Sequence, residues 1–137
     1  LQFDTIKNMA RLYWYTVEFG LIKTDDGLRI YGAGIVSSKG ESIFSLEARS
    51  PNRIHFDLER VMRTDYRYDD FQQSYFVINS YEELMEATAQ DFAPLYDRLP
   101  SLPEFKPSDV LPGDTVYQKG TQEYAASGGL KGHAIAV

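Results

Sequence analysis

The sequence predicts an α+β fold, mainly helical, with a small β-hairpin. Three observations predict it. Ile6, Ala10, Tyr13, Trp14 and Val17 recur at helical spacing and draw one apolar stripe along residues 4–19. Asp26-Gly27, a strong tight-turn pair, joins two short apolar runs at 21–23 and 28–31. A further helix over 81–92 opens with Ser80 and places Glu83 three residues later, the spacing of a capping box.

The remaining elements follow in order. Asp4 or Thr5 is suited to cap the first helix, and Gly20 to end it in the left-handed conformation. Gly32-Ala33-Gly34 is a stretch where backbone can approach a ligand or another segment closely. Residues 37–47 read as turn and then helix, with Pro51 as the break. Residues 55–63 read as a short helix or turn whose apolar members are Phe56, Leu58, Val61 and Met62. Residues 73–78 are aromatic and β-branched, hence a strand, and Pro94 is the stop after the 81–92 helix. From about Leu99 the composition changes to Pro100, Pro103, Pro107 and Pro112, then Gly128, Gly129 and Gly132. The chain thus divides into a packed portion, 1–98, and an extended Pro/Gly-rich tail, 99–137, that packs on something or is partly disordered.

Composition narrows the chemistry. A length of 137 residues suits one domain, and 43% hydrophobic with 14% aromatic content suits a packed one. The net charge of −6 argues against nucleic acid and against an anionic membrane surface, both of which need a basic face. The absence of Cys excludes disulfides, thiolate zinc sites and thiol catalysis. No apolar run reaches the length of a membrane span, and the first residues lack a signal-peptide pattern. Leu1-Gln2-Phe3-Asp4 starts one step before a helix and without Met, so the expectation is a piece of a longer protein, or a trimmed chain.

Glu18 is the residue whose place needs explaining. It stands four residues after Trp14 and eight after Ala10, on the apolar side of the predicted helix. A buried, unpaired carboxylate costs several kcal/mol. The negative end of the helix dipole adds roughly 0.3–1 kcal/mol. A metal ion would offset both costs; so would an ion pair with Lys23 or Arg29, and exposure at the helix edge would avoid them.

The words Ala10-Arg11-Leu12-Tyr13-Trp14-Tyr15-Thr16-Val17-Glu18-Phe19-Gly20-Leu21 and Tyr31-Gly32-Ala33-Gly34-Ile35-Val36-Ser37-Ser38, with Gly40-Glu41 after them, resemble the signature of the aromatic amino acid hydroxylases. The resemblance runs on through Arg63-Thr64-Asp65-Tyr66 and Asp70-Phe71-Gln72-Gln73 to about Arg98. Those later words are similar to the bacterial phenylalanine hydroxylase branch.

The resemblance implies a non-haem iron(II) monooxygenase that uses a tetrahydropterin and dioxygen to turn L-phenylalanine into L-tyrosine, one oxygen atom going to the ring and the other to the pterin. It implies the C-terminal portion of that family's catalytic domain, a monomer, and a cytoplasmic location. Glu18 matches the carboxylate iron ligand. The two His ligands belong to a His-x-x-x-x-His word that this sequence lacks, and neither His55 nor His133 has a second His at helical spacing. Trp14, Gly34, Ser37, Glu41 and Tyr66 match substrate-site positions, and Ala10 and Tyr13 match the pterin side. Plainer roles stand beside these: core packing for Trp14, Ala10 and Tyr13, turn chemistry for Gly34 and Ser37, and a solvated first-turn carboxylate for Glu41. Three further readings remain: a binding module that kept the pocket wall without the chemistry, a tyrosine or tryptophan hydroxylase, and a structural or interaction protein.

Overall fold

The computed structural model describes residues 3–129; His133 and Gly132 lie outside them. The first helix, α1, spans Phe3–Tyr13 and continues into a π-helical turn, Trp14–Glu18. The hairpin follows as β1 (Leu21–Thr24) and β2 (Gly27–Ile30). A short α2 (Ala33–Val36) leads into α3 (Lys39–Glu47), then β3 (Asn52–His55) and α4 (Leu58–Met62). Next come β4 (Ser74–Ile78), α5 (Tyr81–Ala89) and α6 (Ala93–Arg98). Strand β5 (Val116–Gln118) and α7 (Glu123–Ala126) close the described chain.

The expected hairpin is one edge of a five-stranded mixed sheet of order β2-β1-β4-β3-β5. Strand β4 runs parallel to both β1 and β3, while the outer pairs are antiparallel. All five β4 residues are buried, as befits a central strand covered on both faces. Phe76 and Ile78 point to one core with Leu12, Tyr15, Ile54, Val61, Met62 and Leu95. Tyr75 and Val77 point to the other with Phe19, Leu21 and Ile35. Trp14 touches both cores, so it sits at the seam where the first helix meets the sheet.

Several boundaries differ from the sequence reading. The helix already includes Asp4 and Thr5, so neither is its cap. Gly20 is not left-handed; the end of the Tyr31 ring packs onto it, and a Cβ there would lie 2.2 Å from Tyr31 Cζ unless that ring shifted. The left-handed turn residue is Gly27, at φ 108°, where β1 turns into β2. Strand β3 replaces the start of the expected 55–63 element, whose helix begins only after Asp57, which accepts from the Arg60 amide. Helix α5 ends at Ala89, well before Pro94, and Pro94 instead lies in the first turn of α6, where a missing amide hydrogen costs nothing. Residues after Leu99 pack back on the body: Phe105 bridges to Thr64, and β5 pairs with β3.

Candidate functional site

The π-turn sets the geometry around Glu18. Phe19 N donates to Trp14 O at 2.8 Å, a bond spanning five residues, before Gly20 N returns to Thr16 O at 2.9 Å. The wider turn brings side chains five apart over one another. Tyr13 Oη accordingly donates to Glu18 Oε1 at 3.2 Å. Thr16 Oγ1 donates back to Leu12 O at 2.7 Å, which holds the distorted turn from the buried side.

The apolar stripe drawn from the sequence faces outward: Ile6, Ala10, Tyr13 and Val17 are exposed and Trp14 is half-buried. The buried side of α1 carries Asn8, Arg11 and Leu12, continued by Tyr15 and Thr16. Glu18 therefore stands half-buried at the end of an open apolar face. Among the described residues no basic side chain lies within ion-pair distance of it, so neither Lys23 nor Arg29 neutralises it. Gly34 brings the start of α2 against the carboxylate: a Cβ there would be 2.9 Å from Glu18 Oε2. Ser37 is exposed and donates to Gly34 O at 3.1 Å.

Beside the carboxylate lies an aromatic wall. Trp14 stacks on Tyr66 at 4.4 Å with the rings 15° from parallel, and meets Phe19 at 4.6 Å. Phe19 in turn borders Gly34 and so joins the wall to the carboxylate. Tyr13, Glu18, Gly34, Ser37, Trp14 and Tyr66 are thus brought together in one neighbourhood, with Ala10 one turn back on the same face.

Glu41 lies behind the wall. It is buried, and its Oε2 accepts from Tyr75 Oη at 2.5 Å and from Gln72 N at 3.0 Å. Burial pushes its carboxyl above the ordinary range; the bonds from Tyr75 and Gln72 pull it back in part. Burial and the Glu41 charge together hold the Tyr75 phenol well above its usual value.

Two residues of the neighbourhood had no assigned role in the sequence, Phe19 and Gln72. Gln72 Oε1 accepts from Trp14 Nε1 at 3.1 Å across 58 residues. No local pattern signals such a contact.

Residues 2–102 match the pattern of the biopterin-dependent aromatic amino acid hydroxylases. The chain belongs to that family. It is 60% identical over 131 residues to the phenylalanine-4-hydroxylase of Caulobacter vibrioides, covering 96% of this chain and 45% of that protein. Against the Ralstonia nicotianae enzyme of the same name it is 63% identical over 115 residues, covering 84% of this chain and 37% of that one. The crystal structure of Chromobacterium violaceum phenylalanine hydroxylase with iron and phenylalanine superposes with a TM-score of 0.79 at 58% identity, covering 81% of this chain and 41% of that one. The same enzyme with iron(III) and 7,8-dihydrobiopterin gives 0.81 at 53% identity, covering 85% and 41%. The chain therefore spans less than half the length of the relatives it matches. Their mixed α/β architecture is that of this family's catalytic domain.

The residues present fit the family's groups as one wall of a site. Glu18 supplies one anionic oxygen donor with no cationic partner among the described residues, which suits a divalent metal. Among the described residues no three His, Asp or Glu side chains converge to complete a metal site. His55 is engaged by Glu83 at 3.0 Å and Tyr117 at 3.0 Å. The exposed Ala10 and Tyr13, one turn apart, form an apolar shelf with a single hydroxyl, which suits one face of a planar ring such as a pterin. A cavity of about 530 Å³ between His55, Arg60, Arg63, Phe105 and Asp114 lies apart from these residues.

Proposed function

We propose that this chain supplies the carboxylate side of a phenylalanine 4-hydroxylase that converts L-phenylalanine to L-tyrosine. The observation that carries the reading is Glu18: a half-buried carboxylate without a basic partner among the described residues, in the Val17-Glu18-Phe19-Gly20 word whose resemblance to the family implies an iron ligand. The named bacterial relatives at 57–63% identity support phenylalanine as substrate over tyrosine or tryptophan.

Bound iron(II) and tetrahydropterin would supply the activation of dioxygen. The chain's own residues bind and orient. Glu18 would offer a carboxylate oxygen to the metal, with Tyr13 Oη holding its other oxygen. Gly34 leaves room beside that carboxylate, and Ser37 ties down the Gly34 carbonyl. The Trp14–Tyr66 stack would exclude water from the substrate ring and hold it against an apolar surface. Ala10 and Tyr13 would meet the pterin. Glu41 supports the wall from behind and makes no proton transfer in this scheme.

The test is tyrosine formation by the gene product at its native length, with iron(II) and a tetrahydropterin. Turnover that collapses in Glu18→Ala is expected. Absence of turnover in the unmodified product would defeat the enzyme reading. Phenylalanine or pterin binding without turnover would favour a non-catalytic module instead, a reading suited to the incomplete metal site of the described residues.

A further inference from the structure

We infer that Gln72 is a positioning residue, fixing the plane of the Trp14 indole and thereby the shape of the aromatic wall. Its consequence for substrate rests on the phenylalanine reading above; its hold on Trp14 does not.

Gln72 is 1% exposed, so its side chain meets protein on every side. Its amide is bonded at both ends. Oε1 accepts from Trp14 Nε1 at 3.1 Å, and Nε2 donates to Arg67 O at 2.6 Å. The two ends are not interchangeable. The indole nitrogen only donates and the Arg67 carbonyl only accepts, so the amide has one orientation. The main chain is fixed as well, since Gln72 N donates to Glu41 Oε2 at 3.0 Å and that same oxygen accepts from Tyr75 Oη. The acceptor offered to Trp14 is therefore held by the sheet and by α3 and does not follow the indole.

Trp14 needs such a hold. Stacking on Tyr66 and contact with Phe19 bury its faces but discriminate weakly between an indole and the same indole flipped in its plane. A bond to Nε1 selects one of the two. A net hydrogen bond of about 1 kcal/mol is a factor of about 5 between them, and in the flipped state the buried Gln72 oxygen would lose its partner. A carboxylate at position 72 would set an acceptor against the Arg67 carbonyl, so Gln is required and Glu is not equivalent.

Trp14 is the single Trp of the chain, so its optical and NMR signals are its own. In the unmodified 137-residue chain the Trp14 indole proton should exchange slowly with solvent although the ring is half-buried; exchange as fast as a free indole would overturn the inference without any mutation. Gln72→Met preserves length and removes the amide. It should abolish the tryptophan fine structure in near-UV circular dichroism while the far-UV spectrum stays. In the native-length gene product the same variant should raise KM for phenylalanine about tenfold with kcat within about twofold, the signature of lost binding. In a Trp14→Phe background the Gln72→Met effect on KM should vanish, because Gln72 acts through the indole. An unchanged Trp14 spectrum, or a KM effect that persists in Trp14→Phe, would overturn the inference. A gene product that does not hydroxylate phenylalanine would defeat the functional reading, and the exchange and dichroism measurements would still decide whether Gln72 holds Trp14.

Discussion

The Arg60 guanidinium grips the Asp114 carboxylate with two nitrogens, Nε to Oδ1 at 3.0 Å and Nη2 to Oδ2 at 3.1 Å. Both side chains are only 6% exposed. Arg60 also donates to Asp109 O at 2.8 Å, and Phe105 covers its face at 4.9 Å. The residues after α6 are thus pinned to α4 by one buried ion pair. Asp114→Ala would leave a buried guanidinium without its counter-charge. The expected cost is roughly 3–5 kcal/mol, read as a lower urea midpoint. A change within about 0.5 kcal/mol, the size of an ordinary surface substitution, would show that this segment adds nothing to the fold.

The elements legible in the sequence are those whose signal is local. The 24–27 turn, the Ser80 cap and the aromatic strand at 74–78 each carry their own chemistry. Strand β3 was not legible because its buried row includes Asn52 and Arg53. Arg53 is satisfied by the carbonyls of Ser45, Phe44 and Ala48, contacts that no period in the sequence reports. Helix α1 misled for the same reason. It buries Asn8, which donates to Met62 O at 2.8 Å, and Arg11, which pairs with Glu104 at 2.8 Å, while its better apolar stripe stays outside. Glu18 stood out because a carboxylate among Val17, Phe19 and Trp14 conflicts with its neighbours. Gln72 did not, because a Gln in a polar stretch conflicts with nothing until Trp14 arrives from 58 residues away.

Glu41 makes stability depend on pH in a direction opposite to an ordinary salt-bridged carboxylate. Burial raises its carboxyl, so the folded chain binds that proton more tightly than the unfolded chain does. Between the ordinary value of 4.5 and the raised one, the native state holds more protons. Its contribution to stability therefore falls as pH rises through that window and returns as pH drops. Glu41→Gln keeps an oxygen for Tyr75 and should flatten this part of the profile. Tyr75→Phe removes a bond that favours the ionised form and should extend the fall to higher pH. Urea midpoints between about pH 4 and 8, bracketing the carboxylate range, would check both. A Glu41→Gln profile parallel to the unmodified one would refute the assignment.

The outward stripe predicts association of the isolated chain. Ile6 and Tyr13, two turns apart on α1, are each 53% exposed, and Val17 in the π-turn that continues it is 47% exposed. Covering apolar surface returns roughly 25 cal/mol per Å², so two copies gain by burying these faces together. Sedimentation velocity of the 137-residue chain should show mass rising with concentration, and Ile6→Lys with Val17→Lys should return it to monomer. A concentration-independent monomer with one cooperative thermal transition would contradict this.

Gly32 and Gly34 lie two residues apart against the same carboxylate residue, and replacing each with Ala should fail differently. A Cβ on Gly32 would be 2.4 Å from Glu18 O and 2.5 Å from Gly20 N, both main-chain atoms that cannot move alone. Gly32→Ala should cost about 1–3 kcal/mol or more, because the end of the π-turn must shift as a unit. A Cβ on Gly34 would meet Glu18 Oε2 at 2.9 Å, with Glu18 O and Phe19 Cζ at 3.0 Å. The tightest of these is the end of a side chain, half-buried and able to turn away. Gly34→Ala should therefore cost less stability than Gly32→Ala while displacing the carboxylate. If Glu18 holds iron, the native-length product carrying Gly34→Ala should bind iron(II) about 10–100-fold more weakly, the usual effect of disturbing a ligand's support. Denaturation and metal titration of the two variants separate the outcomes. Equal stability losses would mean that the Glu18 side chain is as rigidly held as its backbone, and unchanged iron affinity in Gly34→Ala would mean that its Oε2 faces no metal.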